Sequence, residues 1–537
     1  MSNVKKSFVH GAMVLVAANA VVKIIGALYN IPLVNLIGGD GNGYYTVGYE
    51  IYAFIYVLST AGMPVAVSKM VSQSNALGRY GEVTRIFRVT LMAFTVIGLI
   101  GACVMFFGAG AFARRANNDL AVYSVMAIAP AVFFAAFVST FRGYSQGMSD
   151  MMPTAISQVI EAVCKLGVGF CLAYYLLRAG QPIYYVSAGA ISGVTVGSGI
   201  GAVVLCVMHF TSKRNRELRR LAAASVNMRT SRELLVTLIK IAVPITIGAS
   251  VMSLTNVIDL FVVMNRLGDI GLTQEQGNWL FGCYTMSRKL FNLPPSLIFS
   301  LSTSIMPVLS AVYAVGDSDA VRRNVESALR ICCVFAIPAG IGLAALSRPI
   351  LSLLYFTKPE EVSVAAPLLT DLGLAVIFVC IVSLTNAMLQ AIGLINVPIV
   401  TMLIGGAVKL AVNYILVGIP SIGISGAPIG TSACYLVIGV LNLSVLFMNI
   451  KVKPRLMTIF VKPAVSGAVM GVTAIAAYNI LSAHIGAKMG VLAAMCIAAA
   501  VYFLFLMCIR GFVIEDIEML PKGEKLAAFL KKRGLAA

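Results

Sequence analysis

Charge is scarce in this chain: only 11% of its 537 residues are charged, and the acidic sign is the scarcer, with 21 Asp+Glu against 40 Lys+Arg. So little charge cannot solvate the surface of several water-soluble domains, which excludes a soluble multidomain enzyme. Histidine is nearly missing as well. His10, His209 and His484 stand singly near the ends of apolar runs, so no metal site is spelled. All eleven cysteines fall inside apolar runs, Cys332-Cys333 and Cys434 among them, and read as packing residues rather than as a disulfide framework. Also absent are a Walker lysine motif, a dinucleotide fingerprint and a nucleophile elbow, so neither ATP-driven pumping nor a nucleotide or other cofactor is expected. An enzyme working on membrane-bound polyprenyl substrates would place carboxylates or a metal in a sizeable interfacial loop. The longest loop here is a basic linker whose only carboxylates are Glu217 and Glu233. A channel would show pore-loop symmetry, of which there is no trace.

What the chain has in abundance is apolar length. Hydrophobic residues make up 59% of it, and the mean hydropathy is +0.92. Runs of about 20 residues, enough to cross a hydrocarbon core as helix, recur from end to end. Fourteen are read, at 10–37, 45–70, 89–110, 119–141, 153–177, 184–209, 234–265, 278–312, 328–354, 363–390, 397–418, 426–450, 460–482 and 488–510. The fold class is therefore all-α, a polytopic membrane protein. The first run is too long for a signal-peptide core and lacks a small-residue cleavage site, so it is expected to act as an uncleaved anchor.

The formal charge of +19 would suggest nucleic acid in a soluble protein, but its placement follows the membrane. With the N-terminus inside, and with Arg330, Arg348, Lys462, Lys488 and Arg510 toward the span ends counted with the adjoining loops, the inner loops and tails hold 26 of the 40 Lys+Arg, the outer loops 7 and the spans 7. The richest inner segments are Thr211 to Arg220, the group Lys451, Lys453, Arg455 and Lys462, and the tail Lys531, Lys532 and Arg533. That asymmetry predicts cytoplasmic termini and contact with anionic lipid, not nucleic-acid binding. The stretch Leu526 to Leu530 is expected to form a small interfacial helix.

One short phrase is written twice. L-S-T-A-G-M-P-V at Leu58 to Val65 returns as L-S-T-S-I-M-P-V at Leu301 to Val308, six of eight residues identical at an offset of 243. Val163-Cys164-Lys165-Leu166 is echoed by Ala407-Val408-Lys409-Leu410 at an offset of 244, and Gly147 with Pro153 by Gly393 with Pro398. Six spans lie between equivalent points, so the copies share one orientation and are parallel repeats. The expected organisation is a first six-helix half at 1–215, a basic cytoplasmic linker at 216–233, a second half at 234–450, two additional helices at 451–510 and a cytoplasmic tail at 511–537. Transporters built this way hold substrate between the halves and rock one against the other. Pro64 and Pro307 occupy matching places in the repeat, and with Pro32 and Pro294 they are candidate hinge or kink positions, since proline removes a helix hydrogen bond. Pro244 and Pro295 add further breaks; the bland reading of each is an ordinary packing kink.

Ionisable groups at span depth cost about 2.5–3.5 kcal/mol each on insertion scales, so they mark function. The basic set is Lys23, Lys69, Lys165, Lys240, Arg288, Lys289 and Lys409; the acidic set is Glu50, Glu161, Asp259 and Asp371. Lys69 and Lys240 lie near helix ends and are expected to snorkel. Glu161 and Lys165, four apart, can neutralise each other. That leaves Lys23, Arg288 and Lys409 as a cationic set, with Asp259 and Glu50 as counter-ions, and points to an anionic substrate. Arg288 is the best candidate for gripping phosphate, because its guanidinium offers planar paired donors and keeps its charge. Ser300, Ser302, Thr303, Ser304, Asn256 and Asn292 offer neutral hydrogen bonds suited to sugar or peptide groups.

Six plus six plus two spans, the doubled L-S-T-x-x-M-P-V, and M-S-R-K-L-F-N-L-P at Met286 to Pro294 resemble the multidrug/oligosaccharidyl-lipid/polysaccharide exporter superfamily. Within it the chain is similar to the lipid II flippase and stage V sporulation protein B branch, along essentially its whole length. The resemblance implies that Arg288 is a cavity arginine, that the cargo is a polyprenyl-pyrophosphate-linked glycan moved outward across a bacterial cytoplasmic membrane, and that the last two helices form a groove for the lipid tail. It also implies service to cell-wall synthesis or sporulation and contact with that machinery. Where the branch carries an Arg-Asp pair in its first span this chain reads Tyr29-Asn30, which makes Asn30 a candidate cavity residue and Lys23 the replacement cation. A sodium site seen in some members would map to Asp259, Asn413 and Thr431, but Lys409 would repel sodium or supply its charge, so no metal is expected. The alternatives are a multidrug or organic-cation antiporter of the same superfamily, kept alive by Asp259, Glu50 and the tyrosines from Tyr44 to Tyr56, and a flippase for another surface glycan.

Overall fold

The computed structural model describes residues 2–223, 229–450, 457–509 and 511. The basic group Lys451, Lys453 and Arg455, the interfacial helix expected at 526–530 and the tail lysines lie outside the described residues. Among the described residues every long element is a helix and no strand occurs. Thirteen helical stretches are long and apolar enough to cross a membrane. The first, Ala17–Ala76, is 60 residues long and covers the first two of the fourteen spans read from sequence, which reconciles the two counts.

Breaks inside these stretches have chemical causes. Ser2–Thr60 contains one non-helical residue, Gly38, at φ 69°, a conformation in which a side chain would clash with the backbone. A turn at Ala61–Gly62 separates it from Met63–Ala76, and Pro64 stands in the first turn of that next helix, where its missing N–H costs nothing. The single span read at 278–312 is two helices, Gln274–Phe291 and Leu293–Val315, interrupted at Asn292 just before Pro294. Ser231–Ile258 opens with a reciprocal capping box, Thr230 Oγ1 accepting from the Glu233 amide at 3.3 Å and Glu233 Oε2 accepting from the Thr230 amide at 3.0 Å.

By internal packing the chain divides into two units, Met1–Gly282 and Cys283–Ala537. In the first, Ser2–Thr60 packs on Val122–Gly147, Met152–Arg178, Ile183–Thr211 and Ser231–Ile258. An apolar core around Val67, Met70, Ile86, Phe94 and Leu234 joins Met63–Ala76 to its neighbours. The glycine-rich segment after Gly38 is stitched by amides. Asn278, fully buried, donates to the Asp40 carbonyl at 2.9 Å and accepts from Asn118 at 2.7 Å, while Asn42 donates to the Gly282 carbonyl at 2.7 Å. Gly43 is required there, because any Cβ would run into Asn278. At another point Arg229, in the linker, donates to the buried Glu82 carboxylate through Nε at 2.8 Å and again through Nη2, and Ser74 adds a bond of 2.8 Å.

In the second unit Pro359–Ala391 packs on both Ser318–Ala345 and Gly426–Ile450, Asn396–Val417 on Gly426–Ile450, and the pair Lys462–Ile485 and Ala487–Cys508 on Ser318–Ala345. Three of these helices share a buried polar knot: Thr401 donates to Asn442 Oδ1 at 2.8 Å, and Asn442 donates to Asn386 Oδ1 at 2.7 Å and Thr385 Oγ1 at 3.2 Å. Such satisfied networks fix helix register where apolar contacts alone slide.

Candidate substrate site

Each unit contributes its own cationic and aromatic groups. In the first, Lys23 is exposed on Ser2–Thr60 and Asn30 is half-buried, its side chain donating to the Gly26 carbonyl at 2.8 Å one turn back. Glu50 is buried on the same stretch. Asp259 is completely buried at the start of a π-helical turn, Asp259–Val263, that follows Ser231–Ile258; one extra residue per turn re-aims side chains and recurs at functional sites.

Glu161 and Lys165 attract each other through space, and each also has partners of its own. Glu161 Oε2 accepts from Arg142 Nη2 at 2.9 Å, and Oε1 accepts from Ser198 at 2.8 Å. The Lys165 ammonium lies instead over two rings, 5.5 Å from the Tyr29 centroid and 5.3 Å from that of Tyr49. Tyr45, Tyr49, Tyr52 and Tyr56 form a stripe on one helix face, with successive ring centroids 6.2, 6.0 and 5.6 Å apart. The Tyr29 hydroxyl is fixed by donating to the Ala190 carbonyl at 2.8 Å. Residue spacing alone could show the stripe at i, i+4, i+7 and i+11; it could not show Arg142, which reaches Glu161 from a different helix.

In the second unit Arg288 is half-buried near the end of Gln274–Phe291, its guanidinium carbon 6.0 Å from the Tyr284 ring centroid. The neighbouring Ser287 hydroxyl donates to the Ala365 carbonyl at 2.7 Å and pins that turn. The Tyr284 hydroxyl lies 3.4 Å from Thr431 Oγ1. Lys409 and Asn413 are both buried one turn apart on Asn396–Val417, and Asn413 lies against the Gly430 backbone beside buried Thr431. Asn413 and Thr431 are thus neighbours within the second unit, while Asp259 belongs to the first. Among the described residues no three or more His, Cys, Asp or Glu side chains gather at one point. Of the candidate hinges, Pro32 lies inside Ser2–Thr60 and Pro307 inside Leu293–Val315, whereas Pro64 and Pro294 stand in first turns.

An apolar groove lies in the same unit. With a volume of about 470 Å³, it is lined by Leu290, Leu293, Pro294, Phe335, Met470 and Tyr502, among others, and so by both helices of the C-terminal pair. A second apolar hollow of about 550 Å³ continues along Pro294, Leu297, Leu301 and Phe335. Tyr502 closes the floor by donating to the Val334 carbonyl at 3.0 Å, leaving its ring to the groove. A wall of this kind suits an alkyl chain and offers almost no polar partner.

The family model described as polysaccharide biosynthesis protein matches residues 8–312. The chain is 25% identical to stage V sporulation protein B of Bacillus subtilis over 96% of its own length and 98% of that protein. It is 22% identical to the lipid II flippase MurJ of the same organism over 76% and 77%. Among solved structures, the inward closed conformation of lipid II flippase MurJ aligns with a TM-score of 0.68 at 15% identity, covering 92% of this chain and 98% of that one. An inward-facing multidrug resistance MATE family transporter of the MOP superfamily also gives 0.68 at 15% identity, over 80% and 94%. The chain belongs to the polysaccharide biosynthesis protein family and is a multi-pass membrane transporter with the fold of the MOP superfamily, not an enzyme.

Proposed function

We propose that the chain flips a polyprenyl-pyrophosphate-linked oligosaccharide, foremost the lipid II precursor of peptidoglycan, from the inner to the outer leaflet of a bacterial cytoplasmic membrane by alternating access. In this reading both termini are cytoplasmic, Arg288 grips the pyrophosphate with help from Lys23 and Lys409, and the cargo is handed to cell-wall assembly. The observation that carries it is that the second unit holds both parts: the half-buried Arg288 guanidinium against the Tyr284 ring, and an apolar groove lined by Leu290, Leu293 and the C-terminal helix pair. A guanidinium and an alkyl-shaped groove in one unit match a molecule with a phosphate at the head of a long hydrocarbon. The two parts contribute differently. Moving a tail from bilayer into groove gains little, since lipid is as apolar as the lining. The charge-assisted grip on phosphate supplies most of the binding, and the groove sets direction.

The test is calorimetric titration of farnesyl pyrophosphate into the purified protein. Arg288→Gln is expected to weaken binding by about tenfold or more, the worth of a lost charge-assisted bond, and Arg288→Lys to recover part of it. Equal affinity in the parent and Arg288→Gln proteins would refute the grip.

A further inference from the structure

We propose that Lys165 and the open ring of Tyr49 form a binding site for a saccharide that carries an acidic substituent, phosphate or carboxylate. The inference rests on the glycan cargo proposed above and adds a contact for the sugar itself, in the first unit.

Lys165 lies in the middle of Met152–Arg178, where a cation is expensive and its retention marks a ligand or a pathway. Its natural neutraliser is engaged elsewhere: both oxygens of Glu161, one turn away, are bound by Arg142 and Ser198. Among the described residues the Lys165 ammonium makes no hydrogen bond and no close ion pair; Glu161 attracts it through space, and it lies over the faces of Tyr29 and Tyr49. Those two faces hold the ammonium by cation–π attraction without consuming its three N–H donors. The residue as a whole is half-buried.

The rings differ in how they present themselves. Tyr29, Tyr45 and Tyr52 are buried, and they back Tyr49, whose ring stacks on that of Tyr45 at an interplanar angle of 13°. Tyr49 itself is 37% exposed. A rigid aromatic face, negative over its centre, attracts the C–H face of a sugar ring. An ammonium 5.3 Å from that ring's centroid is placed for an acidic group on one of the sugar's carbons.

The experiment uses full-length Arg288→Gln protein in phosphatidylcholine nanodiscs, so that the other proposed phosphate grip does not mask this one. N-acetylglucosamine 1-phosphate, N-acetylglucosamine and inorganic phosphate are titrated separately. The sugar phosphate is expected to bind at least about tenfold more tightly than either fragment. Lys165→Met should remove that advantage, Lys165→Arg should keep most of it, Tyr49→Leu should lose it and Tyr49→Phe should keep it, with unchanged melting temperatures showing that the variants fold. Sugar-phosphate affinity indifferent to Lys165→Met overturns the proposal. So does a Lys165 effect that appears only when phosphatidylglycerol is added to the nanodisc, which would make this a lipid-headgroup contact. Failure of lipid II transport with Lys165-dependent sugar binding intact would change the cargo and leave this site standing; transport without such binding would remove this site alone.

Discussion

Arg142 donates to Glu161 at 2.9 Å, and this bond between two helices leaves Lys165 to the tyrosines. The pair is partly shielded, with the side chains 15% and 30% exposed.

Removing Arg142 should therefore be felt through Glu161. Arg142→Met is expected to cost about 1–3 kcal/mol by stranding Glu161. Arg142→Met with Glu161→Gln should cost clearly less than the sum of the two single changes, because the stranded charge is gone. Thermal unfolding of the four proteins in one detergent measures this; strict additivity would show that the two side chains are not energetically coupled.

The amide clasp around Gly43 is a second test. Asn278 is buried and satisfies both Asp40 and Asn118. Asn278→Ala is expected to lose about 1–3 kcal/mol, the penalty for leaving buried polar partners unmet. Gly43→Ala should be at least comparably damaging, since the added carbon meets Asn278 directly. Unfolding midpoints for both variants equal to the parent value would contradict the packing described.

Filling the groove separates tail from headgroup. Ala339 and Ala499 line it, and Ala499 is exposed, so Ala499→Trp and Ala339→Phe narrow it with little effect on the core behind. Translocation of a long-chain polyprenyl substrate should fall by about tenfold, while farnesyl pyrophosphate binding at Arg288 should change by less than about threefold. A uniform loss of both would mean that the substitutions damage the unit instead of the tail path.

Much of this architecture is legible in residue order. Apolar runs of spanning length place the helices; the doubled L-S-T-x-x-M-P-V reads as a repeat, yet Pro64 stands in the first turn of its helix and Pro307 inside its own. Local breaks are less legible. The run at 278–312 reads as continuous because Asn292 is one polar residue in apolar surroundings, yet Pro294 and Pro295 end the preceding helix. In the candidate site, Arg288 stands out by its chemistry, and Asp259 and Lys409 by the cost of burying them. Lys165 does not, because helical spacing offers Glu161 as its partner and the competing Arg142 becomes visible only when Val122–Gly147 is seen beside Met152–Arg178.

The most direct measurement is translocation of fluorescent lipid II across liposomes containing the purified protein, run beside Arg288→Ala and a cationic dye. Lipid II movement is expected with the parent protein and is expected to be lost in Arg288→Ala, with no dye transport by either. Dye movement without lipid II movement would contradict it and make the chain a drug antiporter.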